Sequence, residues 1–479
     1  MNPQIRKLLY GFWTIIIVAF IYSCKENQLT GDLIITNVSV VDIANNKTIN
    51  SQSVAIKNGK ITSVTAFSES DRLESQNIID GSAKFLIPSL WDMHTHYTTS
   101  SKHRGFLNLF IANGVLSVRD LWGDLESRDS LAVSNMIAPK IYLSGAIIDG
   151  TFTLLQGSLQ PKSAEEAIRL VDSLHNKGAD FIKVYDDLSE EVYRSIAKRC
   201  NELELPFAGH VPMAISAENA ADIGQKSMEH LNGIWKSSTT KEKEIDSLMI
   251  SFKEYFMADN LPAALNTFFT INREYSSSYD RQQAVELAKV LSKNETFVTP
   301  TLITIDRHWS RKGGKYKNQE QNKYIPDDLL QQWDPELSFP EKMFPPEAWE
   351  SGKELLNTSM KITKNLQDNG VNILAGTDCG VSYVIPGFSI HEELKLLVEA
   401  GLSNADALRT ATINPVNYFE LSNSHGGVMP EMTANLVLLN ANPLEDISNT
   451  NKIFGVIRNG TYLDRDYLDK LLEEAVIEK

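Results

Sequence analysis

Residues 85–96 read FLIPSLWDMHTH. An apolar, strand-like run delivers two histidines spaced i and i+2. Residues two apart on an extended strand face the same way, so His94 and His96 can offer both imidazoles to one ion while Thr95 points elsewhere. A pair of histidines at this spacing is a weak signal alone, because unrelated structural histidines also produce it. Its meaning depends on the rest of the chain.

Downstream, short apolar runs alternate with helical stretches. Candidate strands are 85–91, 115–120, 140–144, 181–184, 206–210, 227–230, 297–301 and 372–376, with helical patterning at 164–176, 190–203 and 284–293. Strands alternating with helices argue for an α/β protein with a parallel sheet, and this number of strands fits a (β/α)8 TIM barrel. Periodicity alone establishes only the α/β class. In such a barrel the site lies at the carboxyl ends of the strands. Upstream, 33–79 consists of short apolar runs broken by turn residues, with Asn58-Gly59 as a hairpin signal. The same texture returns at 434–439 and 452–459. The terminal segments, 29–83 and 426–479, are therefore expected to pair into one small β-sandwich domain, with the barrel, 84–425, inserted between them. Two stretches, 235–280 and 306–357, are too long for simple loops and are expected to form lids over the barrel mouth. Solvated surface insertions are the plainer alternative.

The chain has 479 residues, 42% hydrophobic and 22% charged, as in ordinary globular proteins. Its formal charge of −15 argues against a nucleic-acid partner, which wants a basic face. Arg6 and Lys7 precede an apolar run over 8–22 that ends in Ser23-Cys24. The run is shorter than the roughly 20 residues of a spanning helix and fits a secretory signal. Residues 1–24 are expected to be a lipoprotein signal with Cys24 as the lipidated residue; an uncleaved anchor with an incidental cysteine is the alternative. Either reading places the protein in a bacterial cell envelope, held to the membrane. Lys25, rather than Asp, after the cysteine leans towards the outer membrane, facing periplasm or exterior. Cys200 and Cys379 form no CxxC pair and read as buried thiols.

Further candidates close strand-like runs. His210 ends LPFAGH and His230 ends KSMEH. Imidazole is a common ligand for zinc and similar ions, although each histidine taken singly reads as readily as a satisfied core or loop residue. Asp378, in VNILAGTDCG, could take a proton from a metal-held water, or could cap the segment after it. Lys183 stands in the apolar run FIKVY, unusual for a residue rarely buried without a partner. It could snorkel or pair with Asp186 or Asp187.

Taken in order, IPSLWDMHTHY, VRDLW, GADFIKVYDD, AGHV, MEHL and AGTDCG resemble the metal-dependent amidohydrolase superfamily. The closest branch is the imidazolonepropionase and Xaa-Pro dipeptidase-like one. The tail, GFSIHEELKLLVEAGLSNADALRTATINPVNYF and then ANLVLLNANPLEDI, supports it. The resemblance implies two divalent ions, zinc by expectation. His94 and His96 would hold the first and His210 and His230 the second, with Lys183 carboxylated to bridge them. Asp378 would bind the first ion and shuttle the proton for a metal-activated hydroxide. Tyr185, Arg119 and His391 would contact substrate or orient ligands. The implied activity is hydrolysis of a C–N bond in a small amide, dipeptide or cyclic amide. Two alternatives stand beside it: a mononuclear deaminase or cyclic imide hydrolase with Lys183 purely structural, and a non-catalytic binding lipoprotein. A homo-oligomer is compatible with all three. Ser89, Glu431 or Met432, and Asn435 depart from the residues usual in the family; none is an expected metal ligand.

Overall fold

The computed structural model describes residues 28–477 apart from 135, 154 and 340. The lipidation expected at Cys24 lies outside the described residues. A barrel of parallel strands forms the centre. Its strands are Leu90–Thr95, Val115–Asp120, Lys140–Leu143, Ile182–Val184, Phe207–Gly209, Ser227–Glu229 and Phe297–Thr299. The eighth position is filled by 371–375, which is hydrogen-bonded to both neighbours without forming a full ladder. The Val298 N–H donates to Asn372 O (3.0 Å), Leu374 N–H to Val298 O (2.8 Å) and Met93 N–H to Ala375 O (2.9 Å), closing the ring. Between the third and fourth strands, the Asp180 N–H donates to Leu143 O and the Ile148 N–H to Lys183 O, both at 2.9 Å. Helices flank the strands, and several start on a side-chain cap: Ser163, Ser189, Ser216 and Asp280 each accept from the third residue of the helix that follows.

The first strand is not the one expected. The run 85–91 divides at Ser89. Phe85–Pro88 belongs to the terminal sheet, pairing antiparallel with Leu436–Leu439 and parallel with Ser39–Val40. Leu90–Thr95 opens the barrel beside Val115–Asp120. Pro88 has no N–H to donate to a ladder. The Ser89 N–H then turns to Asn435 O (2.9 Å) and the Leu90 N–H to Gly114 O (2.9 Å), so the chain passes from one sheet to the other within two residues. The terminal sheet does join both ends of the chain, in the order Thr461–Leu463, Ile453–Arg458, Leu436–Leu439, Phe85–Pro88, Leu33–Asp42, Lys47–Lys57, Lys60–Ala66. Asn58 and Gly59 both have positive φ, 51° and 75°, as the tight turn between the last two strands requires. The architecture is thus a TIM barrel plus sandwich.

Two helical excursions leave the barrel. After the sixth strand come Ile234–Ser237, Glu242–Met257 and Leu261–Ser277; after the seventh come Leu302–Ser310, Asp327–Trp333 and Pro346–Asp368. Cys200 and Cys379 are buried free thiols. Among the described residues, no helix is long and apolar enough to cross a membrane.

Gly376 lies where the eighth segment presses on the first and seventh strands. A Cβ there would stand 2.5 Å from Thr299 Cγ2 and 2.8 Å from His94 Cβ. Gly376→Ala is expected to destabilise the protein by about 1–3 kcal/mol through overpacking, read as a lower denaturant midpoint. An unchanged midpoint would show that the contact is not tight.

Candidate metal centre

His94 is the penultimate residue of the first barrel strand, and His96 follows that strand. Asp378 arrives from the eighth segment, where its N–H donates to His94 O (2.7 Å) and its φ of 56° turns the chain back towards the histidines. His96 Nε2 lies 3.0 Å and His94 Nε2 3.6 Å from Asp378 Oδ1. One ligand atom from each of the three residues falls within a 4.8 Å span, a set that can hold a metal ion. The His230 ring stands 4.4 Å from that of His94 and 5.0 Å from that of His210, centroid to centroid. Lys183 enters from the fourth strand, 1% exposed. The ligand candidates thus converge at the carboxyl ends of the barrel strands, His94, His96 and Asp378 forming the compact set.

The imidazoles are oriented from behind. His94 Nδ1 meets Glu229 Oε2 at 2.9 Å, His210 Nδ1 meets Asp186 Oδ1 at 2.8 Å, and His230 Nδ1 meets Thr301 Oγ1 at 2.7 Å. A carboxylate can only accept, so Glu229 and Asp186 select for His94 and His210 the tautomer whose Nε2 lone pair is free for a metal, while the Thr301 hydroxyl fixes the direction of the His230 ring. The buried Nε2 atoms of His94 and His210 have no hydrogen-bond partner among the described residues. A buried polar atom without a partner is costly; a divalent cation is the partner that this donor chemistry fits.

Electrostatics favour the same state. Burial, helped by the nearby His230, holds His94 well below the usual imidazole range, and burial brings His230 down to about 3. Burial acts to raise the Asp378 carboxyl, but His230, His96 and His94 outweigh it and hold it below the ordinary range. Neutral imidazoles beside an ionised carboxylate are the protonation states that bind metal. Burial lowers Lys183 to about 8, against the pull of Glu229 and Asp378. Its two candidate ion-pair partners are engaged elsewhere: Asp186 accepts from His210 and Asn232, and Asp187 pairs with Lys253.

Arg119 is fully buried on the second strand. Its Nε donates to Met93 O (2.7 Å), Nη1 to Ser227 Oγ (2.6 Å), and Nη2 to Glu229 Oε1 (2.8 Å) and Thr299 Oγ1 (3.2 Å). Every branch of the guanidinium is used within the barrel, and it reaches the site through Glu229. Tyr185 stacks on His210 with centroids 4.0 Å apart, at the edge of the site. His391 is buried and turned to Thr450 Oγ1 (3.0 Å) in the C-terminal segment.

A model of the amidohydrolase family matches residues 85–463. The chain belongs to this family. The three donors His94, His96 and Asp378 all lie within the matched residues. An adenine deaminase of Desulforamulus reducens (strain ATCC BAA-1160 / DSM 100696 / MI-1) is 22% identical over 414 residues, covering 86% of this chain and 55% of the relative. The chain therefore spans about half the length of that curated relative. Among solved structures, a bottromycin amidohydrolase superposes with TM-score 0.70 at 20% identity, covering 92% of this chain and 89% of the other. A Xaa-Pro dipeptidase crystallised with methionine in its active site gives 0.63 at 15% identity, covering 90% and 99%. At these identities the likeness shows a shared fold.

Sequence reasoning passed over Glu229, Thr301 and the role of Asp186. Glu229 had a signal available: a carboxylate beside His230 in an otherwise apolar strand needs a buried partner. The Arg119–Glu229 pair generates a prediction. Arg119→Met leaves the Glu229 charge buried and unpaired, at a cost of about 3–5 kcal/mol. Urea denaturation measures it, and Arg119→Met combined with Glu229→Gln should recover part of the loss. A single variant as stable as the parent would show that the pair bears no such load.

Proposed function

We propose that this amidohydrolase cleaves a C–N bond in a small amide, dipeptide or cyclic amide at an ion held by His94, His96 and Asp378. The observation that carries the reading is the approach of His94 Nε2 and His96 Nε2 to Asp378 Oδ1, at 3.6 and 3.0 Å. A divalent ion held there, zinc by its fit to histidine and carboxylate, would supply a water of lowered pKa and a Lewis acid for the scissile carbonyl. The chain's own residues do the rest. Glu229 and Arg119 fix the ring of His94. The ionised Asp378 accepts the proton of the attacking water and returns it to the leaving nitrogen. Tyr185, at the edge of the site, contacts the substrate. The compact set of three donors supports a mononuclear centre, the arrangement compatible with deamination or cyclic imide hydrolysis.

A second reading has its own support. The unpartnered Nε2 of His210, the neighbouring His230 and the buried Lys183 could hold another ion, with Lys183 carboxylated as the bridge. Carboxylation joins Nζ to the carbon of CO2 and releases a proton, and a lysine lowered to about 8 offers the free amine this requires. The excursions after the sixth and seventh strands would cover the site as lids. Cys24 would carry the lipid that ties the enzyme to the envelope, expected at the outer membrane.

Metal analysis of the form lacking residues 1–24 separates the readings. One ion per chain in both parent and Lys183→Ala supports the mononuclear centre; two ions falling towards one in Lys183→Ala supports the bridge. Asp378→Asn is expected to retain metal and lower turnover of a dipeptide or cyclic amide at least about 100-fold. Parental turnover in that variant would remove the proton-transfer role. In cells grown with labelled palmitate, the full chain should take up label and Cys24→Ala should not; label in both would place the lipid elsewhere.

A further inference from the structure

The Leu302–Ser310 helix begins just beyond the seventh barrel strand, and Thr301 occupies its N-cap position. A threonine there ordinarily turns its hydroxyl inward to accept a backbone N–H of the first turn. Thr301 makes no such bond. Its Oγ1 instead meets His230 Nδ1 at 2.7 Å. The capping duty falls on another helix. Glu393, in Ser389–Glu399, is fully buried, and its two carboxylate oxygens accept from the Leu302 N–H (3.1 Å) and the Ile303 N–H (2.7 Å).

Two further features make this substitution consequential. Thr301 has φ 46°, a left-handed conformation that a β-branched residue adopts only under constraint. The same first turn also braces the opposite side of the site: Thr304 Oγ1 donates to Thr377 O (2.9 Å), the residue before Asp378. Burying a carboxylate is costly, and burial pushes Glu393 up to about 8 while the two backbone N–H groups pull it back. The cost is offset by holding one turn of helix.

We infer that Glu393 is a positioning residue for His230: by capping the Leu302–Ser310 helix in place of Thr301, it frees the Thr301 hydroxyl to hold the His230 imidazole with Nε2 directed into the site. The inference rests on the reading of His230 as a metal ligand only in its consequence for metal affinity; the orientation of the ring stands apart from it.

The test uses the full chain with 15N-labelled histidine. Ring 15N correlation spectra show which nitrogen of His230 carries the proton, the signal being assigned by its loss in His230→Ala. Zinc affinity is measured alongside by chelator competition, and folding by circular dichroism. The parent and Thr301→Ser should show protonated Nδ1. Thr301→Val should lose that signature. Glu393→Gln places an amide N–H2 against a backbone N–H and should also lose it, with zinc affinity falling about 10–100-fold. If Glu393→Gln does not fold, Glu393→Asp, too short to reach both N–H groups, takes its place. A parental His230 signature and parental zinc affinity in whichever Glu393 variant folds overturns the inference. Unchanged zinc affinity in His230→Ala removes His230 as a ligand, while the ring signature still decides the case of Glu393.

Discussion

A guanidinium and a carboxylate face each other inside the barrel with no access to water. Arg119 and Glu229 are both fully buried, 2.8 Å apart. Taking two such charges out of water costs several kcal/mol per ion, recovered only when every hydrogen-bonding position is used. Here the positions are used by the barrel itself. Arg119 reaches Met93 of the first strand, Ser227 of the sixth and Thr299 of the seventh, and Glu229 reaches His94. The polar centre therefore ties together strands distant in sequence and sets the ring of His94. One ion pair closes the barrel and aims a ligand.

A second constraint is conformational. Tyr97, His230, Thr301 and Asp378 all have φ between 46° and 67°. None is glycine, and such backbone is uncommon for residues with a Cβ. Its presence at these four positions matches the general observation that strain at functional sites is compensated around them. The compensation is visible: the Asp378 N–H is bonded to His94 O, the His230 N–H to Thr299 O, and the turn after Thr301 to Glu393. His230 directly follows a barrel strand, and Tyr97 and Thr301 each stand two residues beyond one.

The barrel class and the ligand candidates were legible because each candidate closes an apolar run. MHTH, AGH, MEH and AGTD all mark the point where a strand meets solvent, and the structure gathers these ends on one side of the barrel. The division at Ser89 was not legible: FLIPSLW is one hydrophobic run, and nothing in its periodicity says that Pro88 ends one sheet and Leu90 begins another. Nor were the groups behind the ligands. Glu229 and Arg119 are joined across the barrel by tertiary contact, and Thr301 meets His230 across the seventh strand, so neither pairing has a local spacing. In SIHEEL the histidine drew the attention, yet His391 packs on Thr450 while Glu392 pairs with Arg307 and Glu393 caps a helix. Helical spacing separates the faces of these three residues, but it does not name what each face meets.

The handover at Ser89 bears on how the molecule is born. Phe85–Pro88 pairs with Leu436–Leu439 along its whole length, so one flank of this strand stays bare until residues 436–439 have been made. Joining segments so far apart in sequence is slow, and bare strand flanks invite pairing with other chains meanwhile. A nascent chain threading out of a ribosome or through a translocation channel must keep that flank sheltered for most of its journey. Leu436–Leu439 supplies the cover, and with it the small sheet is continuous from one arm of the chain to the other.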